Sequence, residues 1–177
     1  MLNQKIFYLF NSLAGQSPFS DSVIVFLANT LPFILIAFFF LYFVFIRKNL
    51  MRFTMISCIV LCSAAVTEIL KWIVFRQPRP FMALSDVTQL INIESFGSFP
   101  SQHATIFAAL ATGIYIYDRR MGTVFIICAV IIGFARIASG IHYPFDILTG
   151  FIVGFVITYF SYRLMRDLSR RIRIYIS

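Results

Sequence analysis

The chain alternates long apolar runs with short polar breaks. Five runs stand out: Leu31 to Ile46, with room to extend back to Val23, then Phe53 to Leu70, Ala104 to Tyr117, Thr123 to Ala138 and Phe145 to Tyr162. Each is near or just under the ~20 residues a helix needs to cross a hydrocarbon core, so the flanking residues complete the spans. The pattern predicts an all-α polytopic membrane bundle of about five transmembrane helices. The opening segment reads differently. Met1 to Gly15 has a short apolar core behind a single lysine, too little for a span or a signal peptide, while Leu2, Ile6, Phe7, Phe10 and Leu13 recur at the spacing of an amphipathic helix lying in the interface. Ser20 to Asn29 either does the same or lengthens the first crossing. The alternative for both pieces is a frayed or packed end. Residues 1–29 are thus read as an interfacial N-terminal segment of one domain spanning 1–177, with no internal repeat, low-complexity tract or linker.

Composition agrees with the pattern. Hydrophobic residues make up 60% of the chain and charged ones 12%, and Phe occurs 22 times, more than a soluble domain of this length keeps off its surface. Cys58, Cys62 and Cys128 all fall inside apolar runs without histidine at metal-ligand spacing, which reads as three buried small hydrophobes.

Charge orients the bundle. If five spans alternate, Arg47, Lys48, Arg52, Arg119, Arg120, Arg163, Arg166, Arg170, Arg171 and Arg173 share one face, which the positive-inside rule makes cytoplasmic. Lys5, Lys71, Arg76, Arg79 and Arg136 fall on the other, periplasmic or extracellular face. All but Lys5 of these lie in or beside short polar motifs, so this second cluster is expected to bind something anionic. The tail Arg163 to Arg173 also suits anionic inner-leaflet lipid, which explains much of the net charge of +8 without a nucleic-acid partner.

Three motifs carry chemistry, and the topology brings all of them to one face. Lys71 to Pro80 reads KWIVFRQPRP; Pro100-Ser101-Gln102-His103 opens the third run; Arg136, His142 and Asp146 bracket the start of the fifth. Ser101 to His103 precedes a helix, so its backbone N–H groups and the Ser101 hydroxyl suit an anion. Asp146, four residues after His142, is placed to accept from one ring nitrogen and fix the tautomer, making the imidazole a nucleophile or base. Arg79 and Arg136 offer planar forks to phosphate oxygens and Lys71 a point charge. Other polar residues have plainer readings: Arg76 as an interfacial anchor, Glu68 as an ion-pair partner of Lys71, and Asp86 and Glu94 as solvated loop residues. The loop 81–99 carries Met82, Leu84, Val87, Leu90, Ile91, Ile93 and Phe96 among polar residues, as a surface-lying entrance for a lipid headgroup would.

These motifs resemble those of the type 2 phosphatidic acid phosphatase superfamily, the lipid phosphate phosphatases related to vanadium haloperoxidases and bacterial acid phosphatases. The family pattern is K-x6-R-P, then P-S-G-H, then S-R-x5-H-x3-D. The resemblance implies that His142 is a nucleophile forming a phosphohistidine, that Asp146 orients it, and that His103 is the general acid. Lys71, Arg79, Ser101, Gln102 (through its backbone N–H) and Arg136 would hold the phosphate. There are three departures. Seven residues rather than six separate Lys71 from Arg79, which turns Lys71 about 100° around a helix; Gln102 replaces glycine; Ala135 replaces serine. With both histidines assigned, neither a three-ligand zinc cage nor a carboxylate cluster is left, so no metal or other cofactor is expected. Bacterial relatives imply the inner membrane, a periplasmic site, and a lipid substrate such as lipid A 1-phosphate, undecaprenyl diphosphate or phosphatidylglycerophosphate. A non-catalytic lipid-phosphate binding or transport protein is the alternative, and the oligomeric state stays open.

Overall fold

A computed structural model describes residues 2–73, 77–93 and 97–176, with side chains described through Asp167. Regular structure among these residues is entirely helical: α1 Leu2–Asn11, α2 Pro18–Ile46, α3 Leu50–Ile73, α4 Pro80–Ala83, α5 Gln102–Tyr117, α6 Arg119–Ala138 and α7 Pro144–Ile176. Helices α2, α3 and α6, and α7 as far as Asp167, are long and apolar enough to cross a membrane. This is a multi-pass membrane protein.

Helix α5 is short for a crossing. Its 16 residues rise only about 24 Å, less than a hydrocarbon core. It still joins the two faces of the bundle. Just before its start, the Ser101 N–H donates to the Asp146 carbonyl at 3.0 Å; at its end, Asp118 accepts from the Tyr42 hydroxyl of α2 at 2.6 Å. The fifth passage expected from the sequence is therefore made by a helix sheathed in protein, packed by α3, α6 and α7. Phe107, Leu110 and Ile114 are buried along it. Two glycines let α7 lie against it: a Cβ at Gly154 would stand 2.3 Å from the Thr105 carbonyl oxygen, and one at Gly150 2.6 Å from that of Ser101. Small residues four apart allow this close backbone approach between membrane helices.

In the N-terminal region, one of the two readings of Ser20 to Asn29 is favoured. Ser17 and Ser20 form a reciprocal capping box with Pro18 in the first turn, so a helix starts there and runs to Ile46, interrupted only in register by π-helical turns at Phe26–Thr30 and Tyr42–Ile46. Ser20 to Asn29 lengthens the first crossing. Helix α1 is amphipathic as expected, with Leu2 and Leu9 exposed, but Phe7 and polar Asn11 are buried.

The cysteines also depart from expectation. Cys58 and Cys62 are exposed and Cys128 is half-buried. Lipid solvates the outer faces of spanning helices, where Phe33, Leu61 and Ile73 are also exposed, so apolar surroundings in sequence do not imply burial inside the protein.

Candidate active site

The first motif is split between a helix end and an extended segment. Lys71 sits in the last turn of α3, its Nζ 3.4 Å from both Glu68 Oε2 and Gln102 Oε1. Residues 77–79 are not helical, and Arg79 donates from Nη1 to the Ile141 carbonyl at 3.0 Å. The extra residue between Lys71 and Arg79 therefore does not rotate one away from the other: both line one cavity of about 340 Å³. The expected Glu68–Lys71 ion pair is present, and Trp72 Nε1 donates to the other carboxylate oxygen at 3.2 Å. Arg76 and Glu94 lie outside the described residues, as does Phe96, and Asp86 is exposed.

The second motif caps α5. Ser101 is the N-cap and is fully buried; its hydroxyl accepts from the Ala104 N–H at 3.5 Å. Ser101 is not among the residues lining the cavity, whereas Gln102 and His103 are. Gln102 contributes a side chain where the sequence suggested only a backbone N–H. Its amide accepts from Lys71 and donates to the Ala64 carbonyl at 3.4 Å, tying the lysine to α5.

The third motif is a helix–turn–helix link. Arg136, in the last turn of α6, is buried and lines the cavity. Gly140 then ends the helix at φ +82, where a Cβ would stand 2.5 Å from the Thr88 carbonyl oxygen. The turn drives His142 inward. Pro144 opens α7, and Asp146, three residues after Tyr143, reaches back to the Tyr143 N–H with Oδ2 at 2.8 Å, one half of a capping box. The same Oδ2 accepts from the Ser98 hydroxyl and stands 3.4 Å from His142 Nδ1. The Asp146 carboxylate is thus held by the cap of its own helix.

His142 is the centre of the constellation. With Nδ1 turned to Asp146, Nε2 faces Arg79 Nη1 at 3.4 Å and the ring lines the cavity with His103, Arg136, Lys71 and Ile93. Burial first, then the positive charges of Arg136, Arg79 and Lys71, push its pKa well below the usual histidine value, against a hydrogen bond to the Ser98 backbone. A lowered pKa favours the neutral ring, in which one ring nitrogen keeps its lone pair. Burial likewise lowers the pKa of Arg79, against Asp146 and Glu68. Two buried polar atoms have no hydrogen-bond partner among the described residues, Arg136 Nε and Asp146 Oδ1. A cavity walled by three cations, with an unanswered guanidinium N–H beside it, suits a polyanionic group. Among the described residues no three His, Cys, Asp or Glu side chains converge on a point.

Sequence reasoning missed two supports. Ser98, at the end of the loop 81–99, is fully buried and holds Asp146. Asn11 donates to the Thr88 and Ala138 carbonyls at 2.8 and 2.9 Å and accepts from the Thr88 N–H at 3.0 Å, binding α1 to the entrance loop and the His142 turn. The loop itself turns inward: Leu84 and Val87 pack with Phe7 and Tyr143, and Ile93 reaches the cavity wall.

Known proteins resemble this chain in sequence and in fold. The chain is 30% identical over 156 residues, 86% of its length and 75% of the relative's, to the bacitracin transport permease protein BcrC of Bacillus licheniformis. It is 28% identical over 166 residues to the undecaprenyl-diphosphatase BcrC of Bacillus subtilis, covering 92% of this chain and 83% of that one. The crystal structure of Aquifex aeolicus LpxE superposes with a TM-score of 0.78 at 24% identity, over 92% of this chain and 96% of the other, and so shares the fold. Residues 52–170 match the family model described as the PAP2 superfamily, a stretch that runs from the start of α3 through all three motifs and along α7. The helices that carry Lys71, His103 and Arg136 and the turn that carries His142 are therefore within the matched stretch, and the chain belongs to the PAP2 superfamily.

Proposed function

We propose that this protein is a lipid phosphatase that removes phosphate from a lipid phosphate or diphosphate at the periplasmic face of a bacterial inner membrane, through a phosphohistidine and without a metal. The observation that carries the reading is the orientation of His142: Nδ1 toward Asp146, Nε2 toward Arg79 and the cation-lined cavity, with His103 on the same wall. His142 Nε2 attacks phosphorus, the bond from phosphorus to the lipid oxygen breaks, and His103 delivers the proton to that oxygen. Water then attacks the phosphohistidine with His103 taking its proton, which frees phosphate and restores His142. Lys71, Arg79 and Arg136 bind the phosphoryl oxygens and stabilise charge that builds in the transition state. Ser101 acts through the cap that aims His103, and Asp146 holds the His142 tautomer. The name of the Bacillus subtilis relative supports a polyprenyl diphosphate as substrate class. A carrier that only bound lipid phosphate would need the cations alone; the buried Ser98–Asp146–His142 chain favours turnover.

The test is release of inorganic phosphate by the purified protein across a panel of undecaprenyl diphosphate, lipid A 1-phosphate, phosphatidylglycerophosphate and a soluble sugar phosphate. Turnover of a long-chain lipid that persists in EDTA is expected; hydrolysis of the sugar phosphate alone, or dependence on an added divalent ion, would overturn the reading. Sidedness is tested in intact cells in a cysteine-free background. A Ser85→Cys variant is expected to react with an impermeant thiol reagent and an Arg120→Cys variant to stay protected. The reverse pattern would place the site in the cytoplasm.

A further inference from the structure

Arg136 is held from an unexpected direction. Its Nη1 donates at 3.1 Å to the backbone carbonyl of Ala28, 108 positions earlier, in the π-helical turn Phe26–Thr30 of the first crossing. Carbonyls inside a helix are ordinarily taken by the N–H four residues on. Four residues after Ala28 is Pro32, which has no N–H to give. The turn has already slipped to π register, with the Leu31 N–H bonded to the Phe26 carbonyl five residues back. Ala28, Pro32 and Arg136 are all buried, so a helix carbonyl facing Arg136 has no bulk water to satisfy it.

We propose that Pro32 is a positioning residue for Arg136: by withholding an N–H from the Ala28 carbonyl, it leaves that oxygen to fix the guanidinium on the wall of the phosphate cavity. The acceptor is a neutral carbonyl. A carboxylate there would cancel the charge the anion needs, whereas a carbonyl anchors one edge of the fork and keeps the charge whole. The π turn supplies the register, in keeping with the recurrence of such turns at functional sites. Helix α2 lies wholly outside the matched stretch 52–170, so this contact links the N-terminal crossing to the site within that stretch. That the anchored group is a phosphate ligand rests on the reading of the cavity proposed above.

The test is equilibrium binding of orthovanadate to the full-length protein in detergent, by calorimetry, for wild type, Pro32→Ala, Arg136→Ala and the double variant. Pro32→Ala restores an N–H that competes for the Ala28 carbonyl. Removing a proline from a helix interior should leave thermal stability equal or higher, yet vanadate affinity is expected to fall roughly three- to tenfold, the worth of one hydrogen bond. Against Arg136→Ala, the second substitution should cost nothing further. Pro18→Ala, at the first turn of the same helix where no helical carbonyl awaits a partner, should bind vanadate as wild type does. Unchanged affinity in Pro32→Ala, or an equal loss in both backgrounds, would overturn this inference while leaving the phosphate site intact. If wild type or Arg136→Ala showed that Arg136 has no part in vanadate binding, the cavity reading would fall, and this inference with it.

Discussion

The two ends of the bundle hold arginine in opposite ways. At the end away from the site, Arg47 reaches the Asp118 carboxylate and the Tyr42 hydroxyl with half its side chain exposed, and Arg52 lies 4.8 Å over the Tyr117 ring. At the site, Arg79 and Arg136 are 5% and 4% exposed and bond to the carbonyls of Ile141 and Ala28. A carboxylate partner neutralises a cation and makes it part of the scaffold. A carbonyl partner orients the fork and leaves its charge for a ligand. Burying such charges costs several kcal/mol each when nothing compensates them, and an anion in the cavity beside Arg136, whose Nε has no hydrogen-bond partner among the described residues, would offset part of that cost.

The largest way to break this contrast is to remove the reacting atoms. His142→Ala is expected to abolish phosphate release. His103→Ala is expected to lose on the order of 10²-fold to 10⁴-fold, the range of a general acid. Asp146→Asn should fall severely because the tautomer of His142 is no longer enforced, even though Asn can keep part of the Tyr143 cap. All three should still bind vanadate, since the cations remain. Wild-type turnover in His142→Ala would remove the nucleophile from the scheme.

A smaller effect, but a more diagnostic one, comes from removing one cation. Arg79→Gln should lower kcat/KM by roughly 10-fold to 100-fold, as expected for a charge-assisted contact. It should also move the acid limb of the pH profile. The positive charges of Arg136, Arg79 and Lys71 lower the His142 pKa, so deleting one lets that pKa rise and the ring protonate at higher pH. The limb is expected to shift upward. A loss of rate with an unmoved limb would separate Arg79 from His142 and leave it only a structural tie to Ile141.

What the sequence reveals divides along the same line. The motif residues were legible because paired histidines and clustered cations are expensive near lipid, and they fall at one end once the apolar runs are folded back and forth. Lys71, Arg79, Gln102, His103, Arg136 and His142 do line one cavity. The supports were not legible. Ser98, Asn11 and the Ala28 carbonyl are ordinary in one dimension and gain their roles from contacts 48 to 127 positions away. That Ser101 is the buried cap of α5 follows from the backbone geometry before Gln102, which its place in the motif does not show. The cysteines misled because an apolar run in a membrane helix faces lipid as readily as core. The length of α5 was readable, yet its central place was not, because a helix shielded by three others need not span the bilayer alone.

The smallest expected effect sharpens the comparison from the far end. Asp118 is held down to about 2 by the Tyr42 hydroxyl, the Met121 N–H and Arg47, in that order. A carboxylate whose folded pKa is depressed stabilises the fold above its ordinary pKa and loses that contribution as pH falls toward the folded value, so at neutral pH the contribution is fully present. Asp118→Asn removes the charge that answers Arg47 but can keep the cap to Met121. Its thermal midpoint in detergent should fall slightly at pH 7 and converge on wild type near pH 2, while kcat/KM stays within about twofold, as expected for a surface substitution remote from the reacting groups. A loss of activity as large as that of Arg79→Gln, with the fold intact, would mean that the charges at the two ends are coupled through the bundle and that the division between scaffold arginines and ligand arginines is wrong.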